Sequence, residues 1–146
     1  VKINRLGKHI ESRFAHKYYS EIALGIDFTA RDVQARFKEK GLPWEKAKAF
    51  DGSAAVSRFF PLATIGKDIQ DINFHLNING TTVQSGSTAN MLFSVDEIIS
   101  HVSKYFTLKT GDLIFTGTPA GVGRVEREDL LELFLEEERV FYFNVK

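Results

Sequence analysis

The 146 residues are enough for one ordinary domain, and 43% hydrophobic with 26% charged side chains is the composition of a chain that buries a core in water. The formal net charge is zero, which leaves no electrostatic footprint for nucleic acid or an anionic membrane as partner. The absence of cysteine excludes disulfides, thiolate metal sites and cysteine nucleophiles; it fits a reducing compartment, and the cytoplasm is the expected location.

Residues 11–20 pair Phe14 with Tyr18 at helical spacing, which predicts a short helix. Residues 22–26 form a compact apolar run ending at Asp27, the pattern of a buried strand with a carboxylate at its exit. Thr29 followed by Asp32 resembles a capping box, and Val33 and Phe37 share one face of the helix that would follow. Gly41 and Pro43 stop that helix. Ile72, Phe74, Leu76 and Ile78 alternate with polar residues, so a half-buried strand is expected there. Asn79-Gly80 then predicts a type I′ hairpin, with the return strand passing through Thr82 and Gln84.

Ser94 with Glu97 is a capping box that opens a helix expected to turn Ile98, Val102 and Tyr105 to one side. Residues 109–112 read as a turn, Leu113 to Phe115 as a short buried strand, and 116–123 as a loop rich in glycine. Leu131, Leu133 and Leu135 alternate among helix formers, which favours β structure, and 140–145 is strand-like. Acidic residues gather between Glu126 and Glu138, the pattern of a solvated face. The expected class is α+β and β-rich.

Few residues offer chemistry on their own. Asp27 leaves an apolar strand, where a carboxylate can point into a pocket, but by itself it reads first as a capping Asp before the next helix. Arg31 and Gln34 follow at helical spacing and could share a side with it; an exposed helix face explains them too. Lys48 lies between two alanines, suited to a partly desolvated ammonium that polarises an oxyanion, or simply to a snorkelling lysine. Thr116-Gly117-Thr118-Pro119 could turn hydroxyls and backbone N–H groups to a ligand, or be only a tight turn. The four histidines show no metal-ligand spacing.

The order of these segments resembles the fumarylacetoacetate hydrolase family, its acylpyruvase-like or isomerase-like branch. The shared segments are Gly-Ile-Asp-Phe-Thr-Ala-Arg-Asp-Val-Gln (25–34), Gly-Leu-Pro-Trp (41–44) and Ala-Lys-Ala-Phe-Asp (47–51). The Asn-Gly hairpin, Met-Leu-Phe-Ser (91–94), Gly111-Asp112, Thr-Gly-Thr-Pro (116–119) and Gly-Val-Gly (121–123) complete the series. The resemblance implies a mixed β-sheet roll with short helices and a single catalytic domain over 1–146.

It also implies a divalent ion, Mg²⁺ or Mn²⁺ with Ca²⁺ as an alternative, held by three carboxylates. Asp27 matches one of them, Lys48 the active-site lysine, and Arg31, Gln34 and Thr118 the substrate-binding residues. The Glu-x-Glu that carries the other two ligands has no counterpart before Asp27. Val1 opens the chain and Met91 is its only methionine, so an N-terminal portion bearing that motif is expected upstream. The implied reaction is C–C hydrolysis of 2,4-dioxo acids such as acylpyruvates. The ion would chelate the substrate's two oxygens and stabilise the enolate. Tautomerisation or decarboxylation of oxaloacetate runs through the same enolate. A non-catalytic binding or dimer-forming module is the rival from another class. The implied partners are a small 2-oxo or 1,3-dioxo acid and a second copy of the chain, in a homodimer.

Overall fold

The alternation of residues 72–78 becomes strand geometry in the structure, a computed structural model that describes residues 1–146. The elements are β1 (Lys2–Ile3), α1 (Ser12–Ala15), β2 (Tyr19–Ile22), β3 (Gly25–Asp27), α2 (Arg31–Glu39), β4 (Ala54–Val56), β5 (Phe60–Pro61), α3 (Leu62–Ile65), β6 (Asn73–Ile78), β7 (Thr81–Ser87), α4 (Val95–Tyr105), β8 (Leu130–Leu135) and β9 (Glu138–Asn144). Short 3₁₀ turns follow α1, precede β4 and follow β7. The class is α+β, and every strand pair is antiparallel. The chain divides into two compact units, one made of 1–24 with 58–146 and the other of 25–57.

In the larger unit, β7-β6-β8-β9 form a four-stranded sheet and β1-β2-β5 a three-stranded one. The β6–β7 hairpin turns through Asn79 (φ 50°) and Gly80 (φ 79°), the positive pair that a type I′ turn requires. The Asn79 side chain fixes a second strand as well: its Oδ1 accepts from the Leu130 N–H at 2.9 Å, and its Nδ2 donates to Asp129 at 2.7 Å. Along β8, Leu131, Leu133 and Leu135 are buried and their neighbours are not, so the period-2 reading holds.

Ile3, Ile10, Ala15, Tyr19, Val95, Ile99 and Leu108 form one core cluster. Burying an Ile side chain such as Ile99 stabilises by about 1.5–3 kcal/mol. Ser103 is the polar residue in this core; its Oγ accepts from the Ile10 N–H and donates to the Ser100 carbonyl, both at 2.9 Å. Ile22, Ile72 and Leu135 form a second cluster.

Five expectations change. The helix over 11–20 is a single α turn at 12–15 followed by a 3₁₀ turn, because Tyr19 is buried as the first residue of β2 and needs an extended backbone. The apolar run 22–26 is not one strand. It breaks at Ala23–Leu24, with Ile22 paired to Phe60 in one sheet and Gly25 paired to Val56 in another. Thr29 does not cap α2; Ala30 holds that position with no side-chain bond. Helix α4 does keep its capping box, with both reciprocal Ser94–Glu97 bonds present. Its buried stripe, however, runs Val95, Ile99, Ser103, while Tyr105 is exposed. Residues 113–115 form no regular strand: Leu113 makes an isolated bridge to Lys2, Ile114 exchanges backbone bonds with Val1, and both Leu113 and Phe115 are exposed.

Candidate active site

Five residues single themselves out by sequence, and four of them fall within the smaller unit, 25–57. Strand β3 carries Asp27 at its end, in register with Ala54 of β4. The pairing continues one step past the strand, where the Phe28 N–H donates to the Ser53 carbonyl at 2.8 Å. The Ala30 N–H donates to the Ala47 carbonyl at 3.0 Å and ties the start of α2 to the 3₁₀ turn 45–47. Ala47 is fully buried, so the turn cannot shift without opening the unit. Lys48 is the C-cap of that turn, its N–H bonded to the Glu45 carbonyl at 2.8 Å. At its far end α2 closes in a Schellman motif. The Leu42 N–H donates to Phe37, the Gly41 N–H donates to Lys38, and Gly41 sits at φ 62°.

These backbone anchors bring Lys48 and Asp27 together. The Lys48 Nζ donates to Asp27 Oδ2 at 2.6 Å and to Thr29 Oγ1 at 2.7 Å. The Lys48 side chain is 29% exposed and that of Asp27 52%, so the pair is open to a small molecule. An ammonium has three N–H donors. Two are committed here, and the third remains for a ligand oxygen. The snorkelling alternative for Lys48 is not what the geometry gives, since its head is held by two partners.

On α2, Gln34 is buried and Arg31 is exposed. The Arg31 Nη1 donates to Gln34 Oε1 at 3.4 Å, a long contact that aligns the guanidinium without fixing it tightly. Thr118 belongs to the other unit. It is exposed on the loop after residue 115, and its Oγ1 accepts from Gln84 Nε2 at 3.0 Å.

Asp27 offers the hard carboxylate oxygen that Mg²⁺ or Mn²⁺ takes. Its Oδ2 already faces an ammonium, and no group of three His, Cys, Asp or Glu side chains is placed to hold an ion. The side chains of these residues do not by themselves complete a metal site. The histidines are dispersed: His75 stacks on Phe134 at 4.3 Å, and His101 lies against Tyr105 at 5.4 Å.

Sequence reasoning missed two participants. Thr29 reads as a cap, and nothing in the sequence tells a capping hydroxyl from one that faces a lysine nineteen residues on. Gln84 reads as one polar position of an alternating strand.

The family description Fumarylacetoacetate (FAA) hydrolase C-terminal matches residues 1–141. The mitochondrial oxaloacetate tautomerase FAHD1 of Mus musculus is 43% identical over 146 residues, all of this chain and 66% of the relative. The Escherichia coli oxaloacetate tautomerase YcgM is 46% identical over 108 residues, 74% of this chain and 49% of the relative. The crystal structure of the Pseudomonas aeruginosa fumarylpyruvate hydrolase in complex with Mn²⁺ and pyruvate superposes with a TM-score of 0.91. It is 35% identical, over 99% of this chain and 61% of that one. The chain thus spans between about half and two thirds of the length of these relatives. No helix is long and apolar enough to cross a membrane.

Proposed function

Because this chain belongs to the fumarylacetoacetate hydrolase family, a family of enzymes, we propose that its protein enolises small 2-oxo dicarboxylic acids, with oxaloacetate as the first substrate to test. The observation that carries the reading is the Lys48 ammonium held between Asp27 and Thr29 with one N–H uncommitted. When a proton leaves the carbon beside a keto group, negative charge gathers on the carbonyl oxygen. A fixed ammonium at that oxygen stabilises the charge without reorganising solvent. Asp27 keeps Lys48 aimed, and Thr29 restricts its swing.

Arg31 is the proposed anchor for a substrate carboxylate, since a guanidinium fork fits one bidentately. Gln34, buried beneath it, supports that orientation. Thr118 is proposed as a further hydroxyl donor to the substrate. Mg²⁺ or Mn²⁺ is proposed as cofactor on the strength of the Mn²⁺ in the P. aeruginosa relative, with Asp27 as one of its ligands. The proposed assembly is a homodimer and the proposed compartment the cytoplasm, on the family resemblance and the cysteine-free composition.

Cleavage of a 2,4-dioxo acid is the second reading, favoured by the likeness to a fumarylpyruvate hydrolase. It gathers charge on the same oxygen when the C–C bond breaks, so it calls on Lys48 in the same way. The test is Lys48→Met in the complete protein, with ketonisation of oxaloacetate and cleavage of an acylpyruvate followed by ultraviolet absorbance. Both rates should fall by about 100-fold or more, the usual consequence of losing one oxyanion-stabilising donor. An unchanged rate on both substrates rejects the role of Lys48.

A further inference from the structure

A threonine hydroxyl has one proton to give, and the group facing its oxygen decides where that proton goes. On β7, the half-buried Gln84 reaches across to the loop 116–123, which has no regular structure of its own. Its Nε2 lies 3.0 Å from Thr118 Oγ1 and 3.1 Å from the Pro119 carbonyl oxygen. A carbonyl oxygen only accepts, so the nitrogen side of the Gln84 amide must face the loop, and the amide has one orientation. Its two N–H groups then serve one acceptor each. Thr118 Oγ1 accepts from Gln84, so its own proton is not used on Gln84.

The backbone holds this arrangement from both sides. Gly121, at φ 100°, passes so close to β7 that an added Cβ would lie 2.3 Å from the Val83 carbonyl oxygen. At Gly86 an added Cβ would stand 3.0 Å from both the Pro119 Cγ and the Phe74 Cζ. The loop is therefore seated on β7 at Val83, Gln84 and Gly86, with the Gln84 amide at the centre.

We propose that Gln84 is a positioning residue that turns the Thr118 hydroxyl outward as a hydrogen-bond donor to the carboxylate of a 2-oxo acid. The inference rests on the substrate-binding role proposed above for Thr118. Gln84→Glu is its sharpest test. A carboxylate of the same size cannot donate, so it would draw the Thr118 proton to itself and reverse the hydroxyl. Gln84→Met removes the donor without recruiting the proton and should have a smaller effect.

The experiment uses the complete protein with Mn²⁺, steady-state kinetics on oxaloacetate and calorimetric titration with pyruvate. Gln84→Glu and Thr118→Val should each raise KM and the pyruvate Kd about tenfold, the worth of one hydrogen bond to a charged group, with kcat within about twofold. Gln84→Met should raise them about threefold, and it carries the test alone if the glutamate variant does not fold. Thr118→Ser should restore parental binding. The double variant Gln84→Glu/Thr118→Val should be no worse than Thr118→Val. Simple charge repulsion by the new carboxylate would persist in that background, so additive losses overturn the proposal. Parental behaviour of both Gln84 variants beside an impaired Thr118→Val removes Gln84 and leaves Thr118 in place. A parental Thr118→Val removes the Thr118 role and this inference with it.

Discussion

Among single residues, Thr29 is the test of how the Lys48 head is held. Its hydroxyl accepts from Nζ at 2.7 Å, and at 3.4 Å it contacts the Asp27 carbonyl only weakly. Thr29→Val keeps the shape and removes the acceptor, leaving Lys48 tethered by Asp27 alone. The expected result is a loss in kcat of about tenfold, corresponding to one charge-assisted hydrogen bond at a partly exposed site. Thr29→Ser should retain most of the rate, and a steady-state assay of the two variants checks this. Asp27 and Lys48 are legible in the sequence only through the order of segments that surround them. They are far apart in the chain, and no period of helix or strand relates them. The antiparallel pairing of β3 with β4 and the bond from Ala30 to Ala47 bring them together, and both depend on partners distant in sequence. Thr29 reads as a cap because a threonine just before a helix ordinarily is one, yet here Ala30 holds the cap position with no side-chain bond.

Among elements, local rules succeeded where the deciding contacts are local. The Asn79-Gly80 turn and the Ser94–Glu97 box are each settled within a few residues, and both form as expected. Removing the box by Ser94→Ala should cost about 1 kcal/mol and lower Tm by about 3–4 °C, measurable by calorimetry. The rules failed where tertiary partners choose. The run 22–26 is uniformly apolar, so periodicity cannot show that Ile22 and Gly25 pair into different sheets. On α4, Ile98 and Ile99 are equally hydrophobic. The stripe through Ile99 wins because Ser103, one turn further on, bonds the Ile10 N–H inside the core. Leu113 to Phe115 reads as a buried strand from composition, yet its pairing stops at Val1 and Lys2, and Leu113 and Phe115 are exposed.

For the whole molecule, α+β character and the strand-rich C-terminal half are readable because alternation along β8 survives in the sheet and β6 forms as a half-buried strand. Acid sensitivity is also a property of the whole. Lys67 foremost, with the Asn73 N–H, holds the Glu136 carboxyl below its usual range; the Glu126 N–H and Asn79 do so for Asp129, and Ser94 for Glu97. A carboxyl whose pKa is lower folded than unfolded adds stability above its unfolded value and loses it as pH falls towards the folded one. Tm should therefore hold steady down to about pH 5 and drop below about pH 4.5. Glu136→Gln should flatten that drop, which a pH series of thermal melts would reveal. One further consequence follows from the pairings at either end of residues 25–57. The larger unit clasps Ile22 to Phe60, and the smaller clasps Gly25 to Val56, so the chain leaves and returns through adjacent strands. The stretch bearing Asp27, Thr29, Arg31, Gln34 and Lys48 is thus a contiguous cassette whose two ends are already joined. Such a stretch can be lengthened or exchanged between relatives at little entropic cost to its host, because the loop it closes is held shut on both sides.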